Sequence, residues 1–154
     1  MILIAYGTRP EIIKFFPLIK AFEENNIQFV TLFTGQHPDL YKDMKNLIPE
    51  PNYCLHNIME TGQTLNNLSS KILKQIDNVF DSVNDSVNNT KLEYVMVQGD
   101  TTTSVIVAMA TFYRNIKVIH LEAGLRTHNK QSPYPEEVNR QLISRIAEIH
   151  LCPT

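Results

Sequence analysis

Three carboxylates in this chain sit where reaction chemistry is usually placed. Asp100 lies in QGDTTT (98–103), Glu122 in HLEAGLRT (120–127) and Glu136 in SPYPEEVNR (132–140), three consecutive segments that follow or precede apolar runs. The simplest role for an isolated aspartate before three threonines is helix N-capping. Glu122 is harder to place, because it ends an apolar run between Leu121 and Ala123. A carboxylate there is unfavourable unless it is paired, with Arg126 or Arg140, or used. Glu136 and Glu137 open a helical pattern, where acidic residues are common. Together, with cations opposite, the three carboxylates suit acid–base work or the stabilisation of a cationic centre.

The cations come from GTRPEIIK (7–14). Pro10 fits a first helical turn, and the free N–H groups of such a turn favour an anion. Arg9 can add a bidentate contact to phosphate and Lys14 a point charge. Glu11 complements the helix N-terminus. Neither GxxxxGK[ST] nor GxGxxG occurs, so this is not an ordinary ATPase or dinucleotide-binding turn. His37, after Gly35 and Gln36, is a candidate ligand contact. His120 reads as a core histidine with a satisfied partner, and His128 and His150 carry no signal. The sequence shows no metal constellation.

The elements that position these groups alternate. ILIAY (2–6), FVTLF (29–33), YVMVQ (94–98), VIHLE (118–122) and IHLC (149–152) are apolar runs with little polar alternation, as expected of strands buried on both faces of a parallel sheet. Helical spacing covers 11–24, with a kink expected at Pro17, and 65–83, 102–113 and 136–148. PEPNYC (49–54) reads as a loop leading to a short strand around Leu55–Met59, and NDSVNNTK (84–91) as a polar loop. The pattern predicts an α/β fold, a doubly wound parallel sheet of the Rossmann-like kind. Four of the five glycines, Gly7, Gly35, Gly99 and Gly124, fall just after an apolar run, at the carboxyl edge where such sheets bind ligands.

The 154 residues amount to one domain, and 43% hydrophobic content is enough for a core. A net charge of −2 leaves no footprint for nucleic acid or an anionic membrane surface. No apolar stretch approaches the ~20 residues that span a bilayer. The first strand begins at once with no basic leader, and Cys54 and Cys152 read as reduced thiols of a cytoplasmic protein.

The motifs GTRPEIIK, TGQH (34–37), QGDTTT, HLEAGLRT, SPYPEEVNR and HLCPT (150–154) lie in one order along the whole chain. Jointly they resemble the non-hydrolysing UDP-N-acetylglucosamine 2-epimerases. GDTTT and EAGLR fit the N-acetylglucosamine branch, since relatives acting on diacetamido sugars show GDTNS and EAGNR. The resemblance implies the N-terminal lobe of a two-lobed glycosyltransferase-B-type fold, with 1–154 as that lobe and the C-terminal UDP-binding lobe absent. It implies exchange of UDP-GlcNAc with UDP-ManNAc by elimination of UDP to a 2-acetamidoglucal and re-addition, with no cofactor and a homodimeric assembly.

On the same basis Asp100, Glu122 and Glu136 are the acid–base candidates. Arg9, Lys14, Gln36, His37, Gln63, Arg126 and Glu137 are the candidates for substrate contact. Relatives with an allosteric UDP-GlcNAc site show QHxxQ and later RQTL. Here QHPDL (36–40) and GQTL (62–65) keep Gln36, His37 and Gln63 but lack the second glutamine and the arginine. Two other readings stay open at this point: a lobe of a glycosyltransferase of the same architecture, and a non-catalytic nucleotide-sugar-binding half that pairs with another chain.

Overall fold

The computed structural model describes residues 1–37, 39, 49–86 and 91–153. Its sheet contains six parallel strands: β1 (Ile2–Tyr6), β2 (Phe29–Phe33), β3 (Tyr53–Cys54), β4 (Tyr94–Gln98), β5 (Lys117–Leu121) and β6 (Ile149–Leu151). The helices are α1 (Arg9–Glu24), α2 (Leu65–Ser86), α3 (Thr102–Tyr113) and α4 (Glu136–Ile146). Strand order is β3-β2-β1-β4-β5-β6. The chain therefore builds outward from β1 on one side, then restarts at β4 on the other. The edge between β1 and β4 is the switch point, where the two flanking turns diverge and leave a crevice.

The continuous apolar runs have a direct cause. Successive side chains of a strand face opposite sides, and both sides here are covered. Leu3, Ala5, Val95 and Val97 share one core with Ile72, Ile76 and Phe80 of α2 and with Val105, Val107 and Ala108 of α3. Ile4, Tyr6, Met96 and Ile119 share the other with Ile12, Phe15 and Ile19 of α1. α3 is buried nearly all round because it packs against the sheet, α2 and α4. Ile72 is fully buried in the first core. Ile72→Val should lower the unfolding free energy by about 1 kcal/mol, read as an earlier urea midpoint at unchanged slope.

Three details differ from the sequence pattern. The edge strand is at Tyr53–Cys54, inside the stretch read as loop, and Leu55–Met59 is not a strand. Asn52 Oδ1 accepts the Thr31 N–H at 2.8 Å and the Leu55 N–H donates to the Phe33 carbonyl at 2.9 Å, which pins the chain against β2 just there. Leu55 and Ile58 are then buried in the core instead of alternating along an edge. α1 is helical on both sides of Pro17, which lies on its exposed face beside the 51% exposed Ile13, whose carbonyl would otherwise bond residue 17. α2 runs on to Ser86, so the expected 84–91 loop begins inside a helix and lies partly outside the described residues. α4 ends at Ile146, where Ala147 turns extended and lets the Glu148 N–H reach the Val118 carbonyl at 2.9 Å. No described helix is long and apolar enough to cross a membrane.

Candidate active site

A cleft of about 440 Å³ opens at the switch point, lined by Lys14, Gln36, His37, Asp100, Glu122 and Glu136 with Thr8, Gln98 and Thr101 beneath them. The three carboxylates predicted to act together are thus brought to one cavity. Each arrives on a different element: Asp100 on the turn after β4, Glu122 just past β5, and Glu136 on the first turn of α4.

Glu122 is outside the strand because its backbone is in the left-handed region, at φ 61°. A non-glycine residue there is strained by about 1 kcal/mol or more and is held by its surroundings. The Arg140 guanidinium donates to the Glu122 carbonyl, and the next N–H, of Ala123, donates to Leu151 O at 3.1 Å. The Glu122 carboxylate then meets Lys14 across the cleft and accepts from the side-chain amide of Gln98. Gly99, at φ +68°, suits the left-handed turn that ends β4 beneath this carboxylate. Of the two arginines proposed as partners for Glu122, Arg140 reaches its carbonyl and neither takes the carboxylate.

Asp100 is not the cap of α3. Thr101 is, accepting the Ser104 N–H at 3.0 Å. The Asp100 carboxylate is freed to face Arg140, whose Nη2 donates to Oδ2 at 2.5 Å. Arg140 is 7% exposed, so this charge is well shielded from water. Asn139 donates to the Asp100 carbonyl at 2.8 Å. Glu136, Asn139 and Arg140 share one face of α4, so this helix supplies one cleft carboxylate and orients the other two. Glu136 itself has no ion pair among the described residues, and its buried Oε2 has no hydrogen-bond partner.

Glu11 does more than complement a helix end. It is fully buried, and its Oε2 accepts the N–H groups of Gly7 at 2.9 Å and Thr8 at 2.7 Å. The N–H groups of the two residues that lead into the helix are therefore already used. Gln36 is also partly committed: its Oε1 accepts from the Thr103 N–H at 3.1 Å and the Thr103 hydroxyl at 2.8 Å. His37 lines the cleft, with a buried Nδ1 that has no partner among the described residues.

Four predicted contacts lie elsewhere. Arg9 is exposed and is not on the cleft wall. Arg126 turns away to bond the Leu125 carbonyl and, at 2.6 Å, Ser144 Oγ. Glu137 is buried and closes the 127–132 turn by accepting the Thr127 N–H at 2.8 Å, a bond that holds its carboxyl below the ordinary range. Gln63 bonds Met59 Sδ. A second cavity of about 710 Å³ shares Gln36 and His37 with the cleft and continues past Asp39, Glu60 and Gly62. His120 is a buried core histidine as expected: its Nε2 bonds the Gly99 carbonyl at 2.7 Å, and burial pushes its pKa down, keeping it neutral. Its Nδ1, however, has no partner among the described residues. No group of three or more potential metal ligands occurs among the described residues.

The chain is a doubly wound, Rossmann-like lobe with a carboxylate-lined cleft at its switch point. The sequence profile of the family described as UDP-N-acetylglucosamine 2-epimerase matches residues 20–154, and the chain belongs to that family. The UDP-N-acetylglucosamine 2-epimerase of Campylobacter jejuni is 45% identical over 155 residues, which is 99% of this chain and 38% of that protein. That of Bacillus subtilis is 40% identical, over 99% of this chain and 39% of its own. The crystal structure of the Neisseria meningitidis UDP-GlcNAc 2-epimerase bound to UDP-GlcNAc aligns with a TM-score of 0.86 at 36% identity, covering 99% of this chain and 40% of that one. The chain spans about two-fifths of the length of the curated relatives it matches, and it matches their N-terminal part.

Proposed function

We propose that this chain is the N-terminal lobe of a two-lobed UDP-GlcNAc 2-epimerase, working at the cleft between lobes and supplying its acid–base groups. The observation that carries this reading is the convergence of Asp100, Glu122 and Glu136 on one cavity, each held by its own element. Epimerisation at C2 needs such a set. The C2–H is not beside a carbonyl and is a weak acid. Breaking the anomeric C1–O bond first sends the bonding pair out with UDP and leaves an oxocarbenium-like centre, which acidifies C2–H. A carboxylate then takes that proton, giving the 2-acetamidoglucal. A proton returned to C2 from the opposite face, with UDP re-added at C1, completes an isomerisation with no net redox change. Carboxylates around the ring stabilise the cationic centre and move the proton, and Lys14 balances the charge that Glu122 would otherwise carry alone.

The ion pairs divide the labour. Asp100 faces Arg140 and Glu122 faces Lys14, so both carboxylates are engaged by a cation until the substrate displaces it. Glu136, with an unpartnered oxygen in the cleft, is the group best placed to take the C2 proton first. The UDP moiety falls to the second lobe, consistent with Glu11 already taking the Gly7 and Thr8 N–H groups that lead into α1.

The test is to incubate UDP-GlcNAc in D2O with this lobe joined to its second lobe and follow C2 by NMR. Deuterium should enter C2 of both epimers. Formation of UDP-ManNAc with no deuterium would defeat the proton-transfer route, and transfer of the sugar to an added acceptor would favour a glycosyltransferase.

A further inference from the structure

The cleft mechanism uses Asp100, Glu122 and Glu136 and leaves one further carboxyl unexplained. Glu11 is fully buried between α1 and the start of α3, and no cation pairs with it among the described residues. The charged groups nearest in the fold are otherwise engaged or remote. On its own helix Arg9 is exposed and Lys14 takes Glu122; across from it Asp100 takes Arg140. The groups that face Glu11 directly are uncharged: the Gly7 and Thr8 N–H groups on Oε2, and the Thr101 and Ser104 hydroxyls on Oε1.

Counting protons around Oε1 decides its state. Thr101 Oγ1 lies 2.7 Å from Glu11 Oε1, and Ser104 Oγ lies 2.9 Å from it. Ser104 Oγ also lies 2.5 Å from the Gln98 carbonyl. Thr101 Oγ1 and Ser104 Oγ also lie 2.9 Å apart, a contact that goes without a proton of its own because Thr101 accepts the Ser104 N–H and turns its hydroxyl to Glu11. The other three oxygen–oxygen contacts, at hydrogen-bond length, each need a proton. The two hydroxyls supply two. If Glu11 were ionised, Ser104 would have to choose. Bonding Gln98 O would leave its lone pairs against a buried carboxylate, and bonding Glu11 would leave them 2.5 Å from a carbonyl oxygen. A proton on Glu11 Oε1 removes the conflict: Glu11 donates to Ser104, Ser104 to Gln98 O, and Thr101 to Glu11.

We propose that Glu11 is an uncharged carboxylic acid at neutral pH and a positioning residue, latching the Gly7–Thr8 turn to the N-terminus of α3. The latch sets the mutual position of Thr8, Thr101 and the neighbouring Asp100 on the cleft wall. It does so without adding a fourth negative charge beside three carboxylates. Burial is the largest influence on the Glu11 carboxyl and pushes its pKa up, in the same direction as the proton count. The assignment stands apart from the epimerase reading, because its test involves no turnover.

The test is carboxyl ¹³C NMR of the chain labelled at glutamate, at pH 7 and on either side of it. One resonance, absent from Glu11→Gln, should stay at the protonated position at pH 7, where surface glutamates have ionised. Glutamine imitates the protonated acid, its amide replacing the O–H, so Glu11→Gln should fold. A raised folded-state pKa gives stability that is complete below the ordinary carboxylate value and lost as pH rises towards the folded one. The wild-type Tm should therefore fall relative to Glu11→Gln by about 3–5 °C for each pH unit between those two values. A Glu11 resonance at the ionised position at pH 7 would overturn the proposal, as would a Tm gap that does not move with pH. If Glu11→Gln fails to fold, the wild-type resonance, assigned through its backbone, still decides.

Discussion

Glu136→Gln, in a two-lobed enzyme carrying this lobe, is expected to lower turnover at least ~100-fold and leave stability within about 0.5 kcal/mol of wild type. The two halves of this expectation have separate causes. Glu136 makes no ion pair among the described residues and its Oε2 is without a partner, so the amide breaks no bond that holds the lobe together. The same amide cannot accept the C2 proton. Asp100→Asn and Glu122→Gln should lose as much turnover, and they should also lose stability. Asp100→Asn leaves the buried Arg140 facing a neutral group and should lose the more; Glu122→Gln leaves the exposed Lys14, whose charge water can solvate, and should lose little. A thermal melt beside a steady-state rate separates these outcomes. Turnover like wild type in Glu136→Gln would remove that residue from the proton path and leave Glu122 or Asp100 as the base.

That Asp100, Glu122 and Glu136 meet at one edge of the sheet is legible in the sequence, but their partnerships are not. Residue type and position after apolar runs are local signals, and they pointed to the carboxyl edge of a parallel sheet. Pairing depends on which side of the sheet each turn leaves and on backbone sign. Glu122 was placed at the end of a strand because VIHLE is uniformly strand-like; only its left-handed φ takes it out of the ladder and over the cleft. Arg140 was named only as one of two possible partners for Glu122, and its link to Asp100 spans forty residues. Glu11 was read as a helix-end complement because acidic residues are common there. What makes it different is α3 lying against it, a long-range contact invisible to local pattern. Conversely Arg9, Arg126, Gln63 and Glu137 were carried by motif, and motif membership does not say which side of a turn a side chain takes. The strand at Tyr53–Cys54 was missed because two residues are too few to show a period.

Gly7→Ala should unfold the lobe or destabilise it by about 3 kcal/mol or more, although Gly7 needs no unusual backbone angle. A Cβ at this position would lie 2.1 Å from Thr34 Oγ1, 2.4 Å from Thr103 Oγ1 and 3.1 Å from Gln36 Cβ. Those atoms cannot simply step aside. The Thr34 and Thr103 hydroxyls bond each other at 2.8 Å, Thr103 also holds Gln36, and the His37 N–H donates to the Gly7 carbonyl at 2.8 Å. Three turns, after β1, β2 and β4, close on one another over the missing side chain. Inserting a methyl forces them apart, breaks at least one buried hydroxyl pair and moves Gln36 and His37 off the cleft wall. Urea denaturation followed by circular dichroism gives the loss directly. Thr103→Ser, which keeps the hydroxyl and removes one buried methyl, provides a control that should lose only about 1 kcal/mol. A Gly7→Ala variant that melts with wild-type Gly7 would mean the three turns are loose enough to part, and the cleft would then owe its shape to the second lobe instead of to this junction.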